Sequence, residues 1–140
     1  MIRRALTEPV LTAIIATLKG TSAVTTLATG GVWNHVPEGT AYPYVIVRSP
    51  AESREDTLGR FGASLVIEVQ VVSQASGDLE GARLLDQCIR ALNFAALSLT
   101  SPAASLGVTW ENSERYAETI NGLVTRHHVG LFRAWAEQTA

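Results

Sequence analysis

Apolar residues along the chain change their period several times, and each change marks an element. Leu11, Ile14, Ile15 and Leu18 fall at i, i+3, i+4 and i+7, a single helical stripe. The helix that this predicts opens near Thr7, holds Glu8 and Pro9 in its first turn and stops before Gly20. Proline is tolerated early in a helix and glycine just past its end. The small and β-branched stretch after it has room for one short helical turn through Val24 and Leu27. Val32, Trp33 and Asn34 form a short extended candidate, and Pro37-Glu38-Gly39 reads as a turn. Pro43 pushes Tyr42 toward an extended conformation, residues 44–49 follow as a strand, and Pro50 closes it.

Composition turns polar between residues 51 and 62, which predicts a long connection rather than a tight hairpin. Residues 63–73 carry the clearest strand alternation: Leu65, Ile67, Val69 and Val71 share one face, and Val66, Glu68, Gln70 and Val72 the other. That second face is more apolar than free exposure predicts, as if a neighbouring subunit half-covered it. Ser76-Gly77-Asp78 opens a second helix whose Leu79, Ala82, Leu85, Ile89 and Leu92 recur at helical spacing, flanked by Leu84 and Cys88. Pro102 and Gly107 bracket a loop. Two further strands, 108–116 and 123–135, are joined across Asn121-Gly122, a tight-hairpin pair. Hairpin-linked strands with segregated helices predict an α+β class: an antiparallel sheet of about four strands with two helices packed on one face, in a single domain spanning 1–140.

Composition narrows the class of function. A hydrophobic share of 46% and a charged share of 17% describe a chain with a real core. The formal net charge of -2 argues against a dense basic face for nucleic acid. Lys19 is the one lysine and the remaining cations are arginines, which suit interfaces because the guanidinium fork is weakly hydrated and pairs with carboxylates; a GC-rich genome gives the same bias. Cys88 is alone, which excludes a disulfide framework and a cysteine-based metal site. No apolar run approaches the roughly 20 residues of a membrane helix, and Glu8 and Pro9 interrupt what a signal peptide needs. The expectation is a soluble protein made in a reducing cytoplasm.

Catalytic patterns find no foothold. His127 and His128 are adjacent, so on a strand they point to opposite faces and cannot jointly hold a metal. His35 beside Trp33 reads as a polar strand end. No serine lies in a Gly-x-Ser-x-Gly elbow, and Gly30-Gly31 lacks the spacing and the lysine of a phosphate loop. Glu111 and Glu114 are out of phase on a strand, and Glu55-Asp56 lie in a loop; neither pair offers two contrasting environments. The chain is therefore read as not an enzyme, with no catalytic residue, cofactor or metal. What remains are contact features. Glu52, Arg54, Glu55, Asp56 and Arg60 mix charge signs in one segment and are the candidate partner-interface residues. Trp110, Tyr116, Phe132 and Trp135 place aromatics on the last two strands, suited to core or hot spot alike.

In order, these segments resemble the bacteriophage tail-terminator family, also called tail-completion or head–tail joining proteins. The residues that carry the likeness are the N-terminal helix with Leu11 and Leu18, the run from Gly31-Val32-Trp33-Asn34-His35 through Pro37-Glu38-Gly39 to Pro43-Tyr44-Val45, the helix with Leu84, Leu85 and Leu92, and Arg126-His127-His128-Val129-Gly130-Leu131-Phe132-Arg133 near the end. The resemblance implies a structural subunit of the virion tail or neck that assembles in the host cytoplasm as a homo-oligomer, a hexameric ring. Such a ring caps the tail tube, ends its polymerisation and docks to the head connector. Its partners are the tail-tube protein and the connector, with no membrane, and DNA passes through the lumen without being read. A ring needs one edge of the subunit to complement the opposite edge, burying about 800 Å² per partner at each contact. The segment from Glu52 to Arg60 is expected on the axial or lumenal contact surface, so reversing Arg54 and Arg60 together should block tail capping or ring stability. Alternatives are another head–tail connector or head-completion subunit, in a phage, prophage or gene-transfer agent, and a cellular ligand-binding α+β module.

Overall fold

A computed structural model describes residues 2–139. In chain order the elements are α1 (Thr7–Lys19), α2 (Ser22–Leu27), β1 (Val32–Trp33), β2 (Tyr44–Arg54), β3 (Gly62–Ser73), α3 (Leu79–Leu92), β4 (Ala103–Ile120) and β5 (Leu123–Gln138). The strands form one sheet in the order β1-β2-β3-β5-β4. The expected α+β class is present, but the sheet has five strands instead of four and is not wholly antiparallel. The two-residue β1 pairs parallel to β2, placing Val32 beside Val45 and Trp33 beside Ile46. The helices number three, because the short turn through Val24 and Leu27 closes into α2.

The alternation of β3 sets the layers. Leu65, Ile67, Val69 and Val71 are fully buried against the helices, together with Val45 and Val47 of β2 and Phe132 and Ala134 of β5. Val10, Ile14 and Leu18 of α1 and Leu84, Cys88 and Leu92 of α3 fill the other side of this core, as their helical spacing requires. Burial pushes the Cys88 thiol up to about 12, the state of an inert packing residue. Among the described residues the opposite face of the sheet carries no helix. There Val72 lies between Tyr44 and His127 and is buried by the chain itself, so its apolar character needs no neighbouring subunit.

Several strand limits differ from the pattern-based expectation. Pro50 does not end β2: the register shifts between Arg48 and Ala51, and a bulge there takes the residue without an N–H out of the ladder. Residues 102–107 are not a loop either, since β4 starts at Ala103 and absorbs Gly107 in a second bulge, between Ser105 and Gly107. A third bulge, between Trp110 and Asn112, overturns the phase argument for Glu111 and Glu114. Glu111 bonds Arg133 at 2.7 Å and Glu114 stands opposite Val129, so both lie on the helix-free face. The Asn121-Gly122 hairpin forms as expected, with φ of 51° and 79°, the left-handed pair that a tight turn between twisted strands requires.

Candidate functional site

Most charges of the segment between β2 and β3 are consumed within the chain. Glu52, on the helix side of β2, accepts hydrogen bonds from the Leu6 amide at 2.9 Å and the Thr7 hydroxyl at 2.7 Å. It thereby satisfies the first turn of α1, whose own N-cap residue offers no side-chain acceptor. Asp56 accepts from the guanidinium groups of Arg3 and Arg54 and, at 3.0 Å, from the Gly62 amide. Partial desolvation pulls its carboxyl upward, but these three donors outweigh it and hold the group down at about 2. Arg3 also donates to the Gly62 carbonyl and lies over the Phe61 ring. Arg60 pairs with Glu137 at 2.8 Å.

At the tip, Thr57 and Arg60 exchange backbone hydrogen bonds at 3.1 and 3.0 Å across Leu58-Gly59, with Gly59 at φ +83°. The segment is thus a hairpin clamped by its own ion pairs, and it leaves two side chains over. Glu55 has no partner among the described residues, and Leu58 is 104% exposed. Reversal of Arg54 and Arg60 would dismantle this clamp directly, so it cannot isolate a contact surface.

A second region lies at the far edge of the sheet. Residues 112–120 of β4 pair with residues 131–123 of β5 without interruption, and the other side of β4 has no strand neighbour. Pairing between β3 and β5 ends at Ser73 and Arg126, so the end of the β4–β5 hairpin runs on alone, with Leu123 and Val124 exposed. No proline or bulge interrupts this part of the edge. Such an edge presents unpaired N–H and C=O groups that will template another strand.

Beside the edge, α3 and the two last strands enclose a cleft of about 250 Å³. Leu85 and Ile89 supply its apolar wall, and Ser113, Arg115 and His128 its polar one. Arg115 has no hydrogen-bond or ion-pair partner among the described residues. His128 is 1% exposed, and its Nε2 has no hydrogen-bond partner; the nearest Asp78 oxygen, at 3.7 Å, is beyond hydrogen-bonding reach. Burial lowers the pKa of His128; Asp78 opposes this, while Arg115, Arg126 and His127 add to it. The ring sits so close to α3 that a Cβ at Gly81 would meet its Cδ2 at 2.3 Å.

The two histidines do face opposite ways. His127, on the helix-free face, stacks on Tyr116 at 4.4 Å, is bonded to Glu118 at 2.7 Å and meets the Gln70 amide. Arg48 donates to Gln70 at 2.9 Å and to Glu68 at 2.7 Å, closing a polar network across three neighbouring strands and β4. Among the described residues no three His, Cys, Asp or Glu side chains gather as a metal site. Of the aromatics, Phe132 is core, Trp135 half-buried, and Trp110 and Tyr116 exposed. The exposure of Leu58 and the cleft lined by Arg115, Leu85 and Ile89 were not legible in the sequence; Gly81, a glycine in a helical stripe, was the local sign of a close approach.

The fold is a small α+β domain whose sheet ends, among the described residues, in an open edge at β4. The family described as Tail completion protein gp17 matches residues 12–137, and the chain belongs to that family. A chain of the virion of a native gene transfer agent particle has the same fold, with a TM-score of 0.85 at 19% identity over 96% of this chain and 99% of that one. No curated protein matches the sequence.

Proposed function

We propose that the protein is a structural subunit of a phage or gene-transfer-agent tail, without enzymatic activity, that forms a ring, caps the finished tail tube and docks it to the head connector. Membership of the tail-completion family supports the tail assignment. The observation that carries the ring is the uninterrupted open edge of β4. A regular edge of that length, blunted only by the charges of Glu114, Arg115 and Glu118, is a template for another strand, and a closed ring of head-to-tail contacts covers it on every copy. Six copies is the number that the family resemblance implies. The clamped hairpin and the β4 edge lie on different parts of the subunit, as a heterologous contact requires. DNA passes through the lumen unread, in keeping with a net charge of -2 and a chain without a dense basic face. Assembly takes place in the host cytoplasm.

The test has two parts. Molar mass by light scattering and electron microscopy of the purified protein should show closed rings, and their addition to polymerising tail-tube subunits should fix tube length. A protein that stays monomeric at high concentration and leaves tube growth unchanged would overturn the proposal. Binding to the portal-side ring in place of the tube would reassign it to the connector.

A further inference from the structure

The hairpin tip and the α3–β4 cleft are complementary in chemistry. Once internal ion pairs are subtracted, the tip offers an apolar point, Leu58, and a negative charge, Glu55. The cleft offers an apolar wall, Leu85 and Ile89, beside the unpaired cation of Arg115. Asp86 also lines the cleft, but its carboxylate is held by Arg90 at 3.0 Å.

The two surfaces cannot meet within one subunit. Along β3 the hairpin begins at Gly62, whereas His128 stands opposite Val71. Nine residues of strand separate them, roughly 30 Å at about 3.3 Å per residue. The hairpin is short and clamped to Arg3 and Glu137, so it cannot fold back over that distance.

We propose that the occupant of the cleft is the β2–β3 hairpin tip of a second copy of this chain, with Leu58 against Leu85 and Ile89 and Glu55 paired to Arg115. The inference rests on the ring reading and specifies its contact. A carboxylate beside the unpaired guanidinium of Arg115 forms a charge-assisted hydrogen bond that neither group makes within its own chain. The contact is heterologous, tip to cleft, so it propagates from copy to copy and closes only as a ring. Its cleft flanks the open β4 edge, which makes the two parts of one continuous interface.

The experiment compares Glu55→Arg, Arg115→Glu and the double variant, with Leu58→Asp as a fourth protein, by sedimentation and light scattering over a concentration series. All three positions are exposed, so folding is checked simply by circular dichroism. Each single charge reversal, and Leu58→Asp, should weaken ring association at least about tenfold, as for a close interfacial charge pair. The double variant should recover most of the loss, because the swapped charges meet again across the interface. Wild-type rings that persist unchanged in Leu58→Asp and Glu55→Arg, or a double variant no better than the sum of the singles, would overturn the tip-in-cleft contact while leaving the ring reading standing. A monomeric wild-type protein would instead overturn the ring reading itself.

Discussion

Substituting Gly81 by alanine tests how closely α3 sits on the sheet. An added Cβ would lie 2.3 Å from Cδ2 and 2.5 Å from Nε2 of His128, against ordinary contact at about 3.5–4.0 Å. More than 1 Å of separation must therefore be found. The ring cannot swing away into solvent, because it is 1% exposed and stands between Val71 and Arg115 on the neighbouring strands. Overpacking of this kind costs about 1–3 kcal/mol. In an open helix interior the same change would gain at most about 1 kcal/mol from propensity, and Gly81 is only the third residue of α3, where that gain is smaller. The clash wins, and Gly81→Ala should lose about 1–2 kcal/mol net. Urea unfolding followed by tryptophan fluorescence, at a protein concentration below ring assembly, reads this as a lowered midpoint with an unchanged slope. The companion His128→Ala removes the obstacle. In that background Gly81→Ala should become neutral or stabilising, with a coupling energy of about 1–3 kcal/mol. Equal costs with and without His128, or a Gly81→Ala protein as stable as wild type, would refute the packing argument.

Two further outcomes follow from buried or clamped groups. The Cys88 thiol, held up at about 12 by burial, should not react with a disulfide reagent at pH 8 in the native protein and should react fully once denatured; fast labelling of folded protein would contradict its place in the core. The Asp56 carboxyl should titrate near 2 by NMR, below its ordinary value. A group lowered on folding stabilises above its unfolded pKa and loses that contribution as pH falls through the folded one. The hairpin clamp should therefore be intact above about pH 4 and open between roughly pH 4 and 2, while Asp56→Asn should remove this transition.

How far the molecule was legible in its sequence depended on the range of the interaction that decided each feature. The helix of α1, the alternation of β3 and the Asn121-Gly122 turn are set by neighbours a few residues away and all formed, although the buried line of α1 runs through Val10, Ala13, Ile14 and Leu18, with Leu11 and Ile15 only partly buried. Pro50 and Gly107 misled because their local preference, to break a strand, is met here by bulges whose position depends on the partner strand. The charged segment shows the same dependence at longer range. Glu52, Asp56 and Arg60 look like free rim charges until their partners are known, and those partners lie 45, 53 and 77 residues away. A mixed-charge run therefore says little about an interface by itself, since the polar groups most firmly satisfied within the chain are the least available to another. What the fold leaves unsatisfied is the remainder: Leu58 and Glu55 at one end of the sheet, Arg115 beside Leu85 and Ile89 at the other. Each pairs something apolar with something electrostatically unfinished. Neither remainder can be removed by folding, because roughly 30 Å of rigid strand keeps them apart, and in the proposed contact a second copy brings them together.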